Sequence, residues 1–191
     1  MNIHSSYLPD SVTRRKGSAE GTRDRLLAAA RREFVRAGFG GARMSTIANA
    51  AGISAGAPYS HVGGKKGLYL STVRATLEVT SNTLSPVSSD GAPIPIEAAL
   101  ERTRRAVRDN PDFLRLLAIG LLAREEHPEA AALIDGWLDL WRQQWAELLE
   151  LRGLDAREAT TRAALFADWL LGAALRGGSI DVDVGARLLE L

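Results

Sequence analysis

The sequence predicts an all-α protein: an N-terminal three-helix unit containing a helix-turn-helix, followed by a larger helical domain. Three observations carry this reading. Apolar residues recur three and four positions apart in segment after segment, each bounded by Gly or Pro. A short Ala-rich stretch runs into Gly52 and Ser54 can cap another short helix beyond it, the pattern of two helices joined by a glycine turn. Strand-like alternation is confined to SIDVDVG near the C-terminus, and a lone strand has no partner there.

The elements follow in order. The polar start MNIHSSYLPDSVTRRKG lacks the apolar run of a signal peptide and reads as a flexible basic arm over residues 1–18. From Thr22 to Ala37, Leu26, Ala30 and Phe34 share one stripe, with Thr22 as N-cap and Asp24 in the first turn. Gly38 can take the left-handed conformation that ends a helix, with Phe39 folding back on it. A short helix over Ser45–Ala51 runs into Gly52, after which Ser54 can cap another short helix. Ile47, Ala48 and Ile53 supply the apolar contacts that set the angle of the pair. Lys65 to Leu84 reads as a connecting helix, closed by the loop TLSPVSSDGAPIPI.

Beyond the loop, Pro95–Asn110 is amphipathic, and Asn110-Pro111 opens a helix whose body FLRLLAIGLLA is apolar on nearly all sides, hence buried among several neighbours. Pro128 opens a long helix bearing Ile134, Trp137, Trp141, Trp145 and Leu148, closed at Gly153. Asp155 and Glu158 form a capping-box-like pair ahead of Ala159–Arg176, which carries Phe166, Trp169, Leu170 and Ala173. SIDVDVG reads as extended, leading into a last short helix. The chain divides into the arm, a helix-turn-helix domain over 19–68 and a helical domain over 69–191.

The formal net charge of +1 hides a division of labour. Residues 1–75 carry 12 Lys/Arg against 4 Asp/Glu, and residues 76–191 carry 12 against 19. A basic lobe concentrates on polyanions, because each phosphate it neutralises releases counterions. With no Cys, disulfides and thiolate zinc sites are excluded, and His4, His61 and His127 lack metal-ligand spacing. No cofactor is expected. The longest apolar stretch, Leu116–Ala123, is far short of a membrane span.

Two other functional classes fit parts of the sequence. Gly52-Ile53-Ser54-Ala55-Gly56 matches the G-x-S-x-G of serine hydrolases, but an Ala-rich helix stands where that elbow needs a strand, so Ser54 reads as a cap. A structural helical adaptor accounts for the C-terminal half and leaves the basic helix-turn-helix unused.

Residues 22–70, TRDRLLAAARREFVRAGFGGARMSTIANAAGISAGAPYSHVGGKKGLY, resemble the N-terminal signature of the tetracycline-repressor (TetR) family of transcription regulators. The resemblance implies that Ala55 to about His61 is a recognition helix for a double-stranded DNA operator. It carries over contacts individually: Arg43, Ser45 and Thr46 at the start of the second helix, Ala55, Gly56 and Ala57 facing the major groove, Tyr59 and His61 at phosphate or base edges, and Lys65 at the fourth helix. Alone, Tyr59 would read as a packing residue and His61 as a surface residue; within the pattern both read as contacts. Hydroxyl, phenol and cationic donors suit phosphate oxygens. The chain departs from the family at Val62, where phenylalanine is usual, and at Ala55, where a polar residue is common. The AGA surface therefore favours thymine-methyl and shape readout. Arg14, Arg15 and Lys16 read equally as a DNA-binding arm or a plain tail.

The resemblance further implies a homodimer joined through the last two long helices and a small-molecule effector bound by the C-terminal domain, which the apolar candidate walls predict to be largely apolar. Phe113, Leu116, Leu117, Leu121, Trp137, Trp141 and Trp169 are the candidate walls of its pocket. A Trp stripe at four-residue spacing also fits ordinary core packing.

Overall fold

The computed structural model describes residues 11–54, 63–176 and 181–189, with side chains from Gly21 onward. Among the described residues there are eight α-helices and no strand: α1 (Ser11–Gly41), α2 (Met44–Ala51), α3 (Gly64–Leu84), α4 (Ile96–Asp109), α5 (Pro111–Leu122), α6 (Pro128–Glu150), α7 (Ala156–Arg176) and α8 (Val182–Ala186). The all-α expectation holds.

The first helix starts at Ser11, so it takes in part of the stretch read as an arm. No proline interrupts residues 11–41. Thr22 consequently lies inside the helix, where its hydroxyl accepts from Arg25 Nη2 at 3.1 Å, and does not cap it. The corner expected at Gly38 is present: φ is 66° there, and the helix breaks. Phe39 folds back, its ring parallel to Phe34 at 6.1 Å and edge-on to Tyr69 at 5.4 Å.

Two apolar cores organise the molecule. One joins Leu26, Ala30 and Phe34 of α1, Ile47 of α2, and Leu68, Tyr69 and Val73 of α3 to Leu116 and Leu117 of α5 and Ile134 of α6. The other holds Trp141, Trp145, Phe166 and Leu170 with Ala99 and Val107 of α4 and Val182 and Leu189 near the C-terminus. Trp137 packs against both. The first core crosses the boundary drawn from the sequence, for a physical reason. A three-helix head of some fifty residues buries too small a share of its surface to stand comfortably alone, and α5 supplies what is missing. Its apolar body accordingly touches α1, α3, α4, α6 and α7.

Polar anchors finish the frame. Trp137 Nε1 donates to Ser81 Oγ and Trp141 Nε1 to the Leu84 carbonyl, both at 2.8 Å, pinning α6 along the connecting helix α3. Asp155 Oδ1 accepts from the amides of Arg157 and Glu158 at 3.0 Å, so the N-cap expected for α7 is present. Glu158 binds Arg162 and leaves the reciprocal half of the box unmade. Asn110 stands between α4 and α5 as expected, but its side chain makes no capping bond.

The tail corrects the sequence reading. Within SIDVDVG, residues 182–185 are helical, because a strand without a partner leaves its amides unpaired whereas a turn of helix satisfies them. Asp181 caps that turn, accepting from the Asp183 amide at 3.1 Å. A Cβ at Gly185 would lie 2.2 Å from Trp169 Cε3, so α8 sits on α7 through a glycine that only glycine can fill. Gly185→Ala should therefore displace the indole and cost about 1–3 kcal/mol by overpacking. The expected result is a lower midpoint of thermal unfolding with a shifted Trp emission; an unchanged midpoint would contradict the contact.

Candidate nucleic-acid interface

The second helix, α2, is eight residues long and buries Met44, Ile47, Ala48 and Ala51 against α1. Its other face, Ser45, Thr46, Asn49 and Ala50, is exposed, as is Arg43 at the N-cap position. The buried side follows the i, i+3, i+4, i+7 spacing of a single stripe, which leaves the hydroxyls of Ser45 and Thr46 on the solvent side. At its far end Gly52 adopts φ 69°, ψ 36°, and its amide bonds back into the last turn. That left-handed conformation turns the chain toward the segment carrying the next predicted helix.

Two charged residues of α1 hold the two ends of α2. Arg43 has no side-chain cap of its own kind for this helix; instead its backbone amide donates to Glu33 Oε1 at 3.2 Å. At the opposite end, Arg25 Nε donates to the Ala51 carbonyl at 3.3 Å. A carboxylate thus faces the electropositive N-terminus and a guanidinium the electronegative C-terminus, the arrangement a helix dipole favours. Arg25 and Glu33 are eight residues apart, about 12 Å along a helix, which matches the length of α2 lying antiparallel to α1.

Glu33 is itself buried, at 5% exposure. Arg36 donates to both of its oxygens at 2.9 Å. That bond pulls the Glu33 carboxyl below its ordinary pKa; partial desolvation opposes the pull, and the Arg43 amide adds to it. A depressed folded value places the stabilisation above the unfolded glutamate value of about 4.3, and it is lost as pH falls through the lower, folded value. Acid should therefore loosen α2 in the wild type, and Glu33→Gln should flatten that part of the stability profile. Identical acid limbs in calorimetry would contradict this role.

Lys65 enters the site from α3. Its Nζ donates to the Gly40 carbonyl at 3.0 Å and lies 4.9 Å from the Phe39 ring centroid, tying the start of α3 to the corner after α1. Lys66 points elsewhere and pairs with Glu129 on α6 at 3.1 Å. Of the contacts expected from sequence, Arg43, Ser45, Thr46 and Lys65 are thus carried by two helices packed on the same segment of α1. Ala55, Gly56, Ala57, Tyr59 and His61 lie outside the described residues. Ser54 is exposed and follows a helix and a glycine turn, not the strand of a nucleophile elbow.

Residues 26–72, which span this arrangement, match the family model for bacterial regulatory proteins of the tetR family. Over that segment the chain is similar to the TetR family. A crystal structure of a transcriptional regulator from Rhodococcus sp. RHA1 is similar at 25% identity and a TM-score of 0.64, covering 81% of this chain and 82% of that one. A TetR-like transcriptional regulator from the same Rhodococcus shares the fold at 24% identity and a TM-score of 0.67, covering 96% and 94%. NalD, the secondary repressor of the MexAB-OprM multidrug efflux pump in Pseudomonas aeruginosa, shares it at 24% identity and a TM-score of 0.59, covering 90% and 93%. No curated protein sequence matches the chain. Residues 26–72 are thus similar to bacterial regulatory proteins of the tetR family, the chain shares its fold with transcriptional regulators, and no described helix is long and apolar enough to cross a membrane.

The TetR-like body places the expected pocket walls as follows. Leu116 and Leu117 are fully buried in the core shared with the head, and Trp141 is buried between Trp145 and Phe166. Phe113 is buried beneath the Arg31 guanidinium, 4.1 Å from its ring centroid. Leu121, Trp137 and Trp169 are half-buried. Trp137 stacks on Trp141 at 6.2 Å, whereas Trp169 stands apart against Gly185. Arg25 and Glu33 were missed from the sequence, and their signal was the eight-residue interval matching the short helix beside them.

Proposed function

We propose that the protein is a ligand-responsive repressor that binds a palindromic operator as a homodimer and is released by a small, largely apolar effector. The observation that carries DNA binding is the exposed face of α2, with its ends held by Arg25 and Glu33, in a lobe whose charge is strongly positive. Arg43, Ser45, Thr46 and Lys65 contact phosphates in this reading, Ala55, Gly56 and Ala57 face the major groove, and Tyr59 and His61 reach phosphate or base edges. Repression is the activity named for NalD, one of the proteins sharing this fold.

Dimerisation is supported by an unpartnered face on the α6–α7 pair. Gly136, Leu140, Gln143 and Glu147 form one exposed stripe, and Leu165, Asp168 and Leu175 form another, with half-exposed Gly172 between the last two. Leu140 is 54% and Leu165 49% exposed, and a Cβ at Gly136 or Gly172 would meet nothing within 4 Å. Leucines beside small residues let two such pairs approach closely as a four-helix bundle. Recognition helices of such a dimer address successive major grooves about 34 Å apart.

The effector, in this reading, opens the Trp-lined side of the body, with Phe113, Leu116, Leu117, Leu121, Trp137, Trp141 and Trp169 as walls. No Trp lies before residue 137, so every emitting indole belongs to the body. An effector should shift that emission and lower operator affinity by a reciprocal factor. Selection of bound fragments from the source genome tests the whole reading and yields the operator. His61→Ala should weaken binding to the selected fragment while leaving the unfolding midpoint unchanged; unaltered affinity would remove His61 from the contacts.

A further inference from the structure

A cavity of about 370 Å³ lies between the start of α4, the end of α6 and α8, and none of its lining residues is among the walls named above. Ile96, Leu100, Leu149 and Leu189 line it, so its interior is apolar. Arg152 and Glu97 complete the lining. They are 49% and 69% exposed, which sets them at the solvent side, and they pair through Arg152 Nη2 and Glu97 Oε1 at 3.3 Å. The volume falls in the range of small-molecule sites, which combine apolar walls with a few polar groups.

We propose that this cavity binds a small molecule with an apolar body and a carboxylate: the body on the four aliphatic side chains, the carboxylate on Arg152. The lining's one cation and one anion balance, and hydrogen-bond geometry favours an anionic ligand over a cationic one. Arg152 uses one nitrogen, singly, on Glu97, whereas a guanidinium takes a carboxylate best through two parallel N–H bonds. An exposed single-bond pair of this kind is weak and readily exchanged. Glu97 can release Arg152 at little cost, because it also stands in the first turn of α4, where negative charge is favoured. The apolar walls reject the hydrated ammonium or sugar that Glu97 alone would attract.

The site also has a built-in reporter. Ala186 of α8 lines the cavity, and the neighbouring Gly185 lies against the Trp169 ring. Arg104 ties α8 to α4 through Asp183, so the short helix is held between the cavity and the indole.

The probes are octanoate, 1-octanol and octylammonium, titrated into the full chain by calorimetry and by Trp emission. Octanoate should bind more tightly than either analogue, and Arg152→Gln, at an exposed position, should weaken it about tenfold or more while leaving octanol unchanged. Leu100→Trp should abolish binding of all three by filling the cavity. Circular dichroism and the unfolding midpoint establish that each variant is folded. The proposal is overturned if octanoate fails to bind, if it binds the folded Arg152→Gln protein equally well, or if octylammonium binds best. Trp169→Phe should remove the emission change while leaving the calorimetric affinity intact; a surviving change would refute the placement of the reporter.

Discussion

Leu140→Glu combined with Leu165→Glu should convert the protein to a monomer and lower operator affinity by about 10²- to 10⁴-fold, the factor lost when two linked half-site contacts become independent. Both leucines are about half exposed in the single chain, so a carboxylate at either position meets water and the monomer fold should survive. Across a two-fold bundle, by contrast, each glutamate would bury its charge against apolar partners or face its own copy. The readouts are sedimentation for mass and titration against a full palindrome and a single half-site. Half-site affinity should be retained while the preference for the palindrome disappears. A folded, dimeric double variant would move the interface to another surface.

The second large effect concerns α2. Replacing Glu33 by Ala removes the acceptor of the Arg43 amide and both of the oxygens bound to Arg36. A polar group left unmatched costs about 1–3 kcal/mol. Replacing Arg25 by Ala frees the other end, at Ala51. Since a misaligned α2 carries Arg43, Ser45 and Thr46 away from the phosphates together, the double variant should lose about tenfold or more in operator affinity, beyond what its fall in midpoint explains. Stabilising the variant elsewhere should restore the midpoint and leave the affinity low. If affinity recovers fully with the midpoint, the two residues serve stability alone.

These residues mark where a sequence stops being readable. Helix ends were legible wherever a local rule decides them: Gly38 and Gly52 take positive φ, Pro111 and Pro128 open helices, and Asp155 caps α7. Each is settled within a turn of the chain. Thr22 failed as a cap because a helix can start earlier when nothing stops it, and a cap signal inside a continuing helix has no amides to satisfy. The extended reading of SIDVDVG failed because alternation describes a strand only when a partner exists. Arg25, Glu33 and the Trp169–Gly185 contact depend on residues from different helices meeting, which periodicity within one helix does not encode. For the candidate site, the motif over residues 22–70 marked the segment, and packing then revealed how its second helix is held at both ends.

The central claim, that the basic lobe binds operator DNA as a dimer, is tested most directly by measuring operator affinity across a salt series. Twelve Lys/Arg against four Asp/Glu in residues 1–75 of each protomer provide for six or more neutralised phosphates in the complex. Log affinity should fall linearly with log salt at a slope of about −5 or steeper, so that raising salt from about 50 to 200 mM costs about 10³-fold or more. A slope near zero, or equal affinity for every fragment at all salt concentrations, would contradict the account.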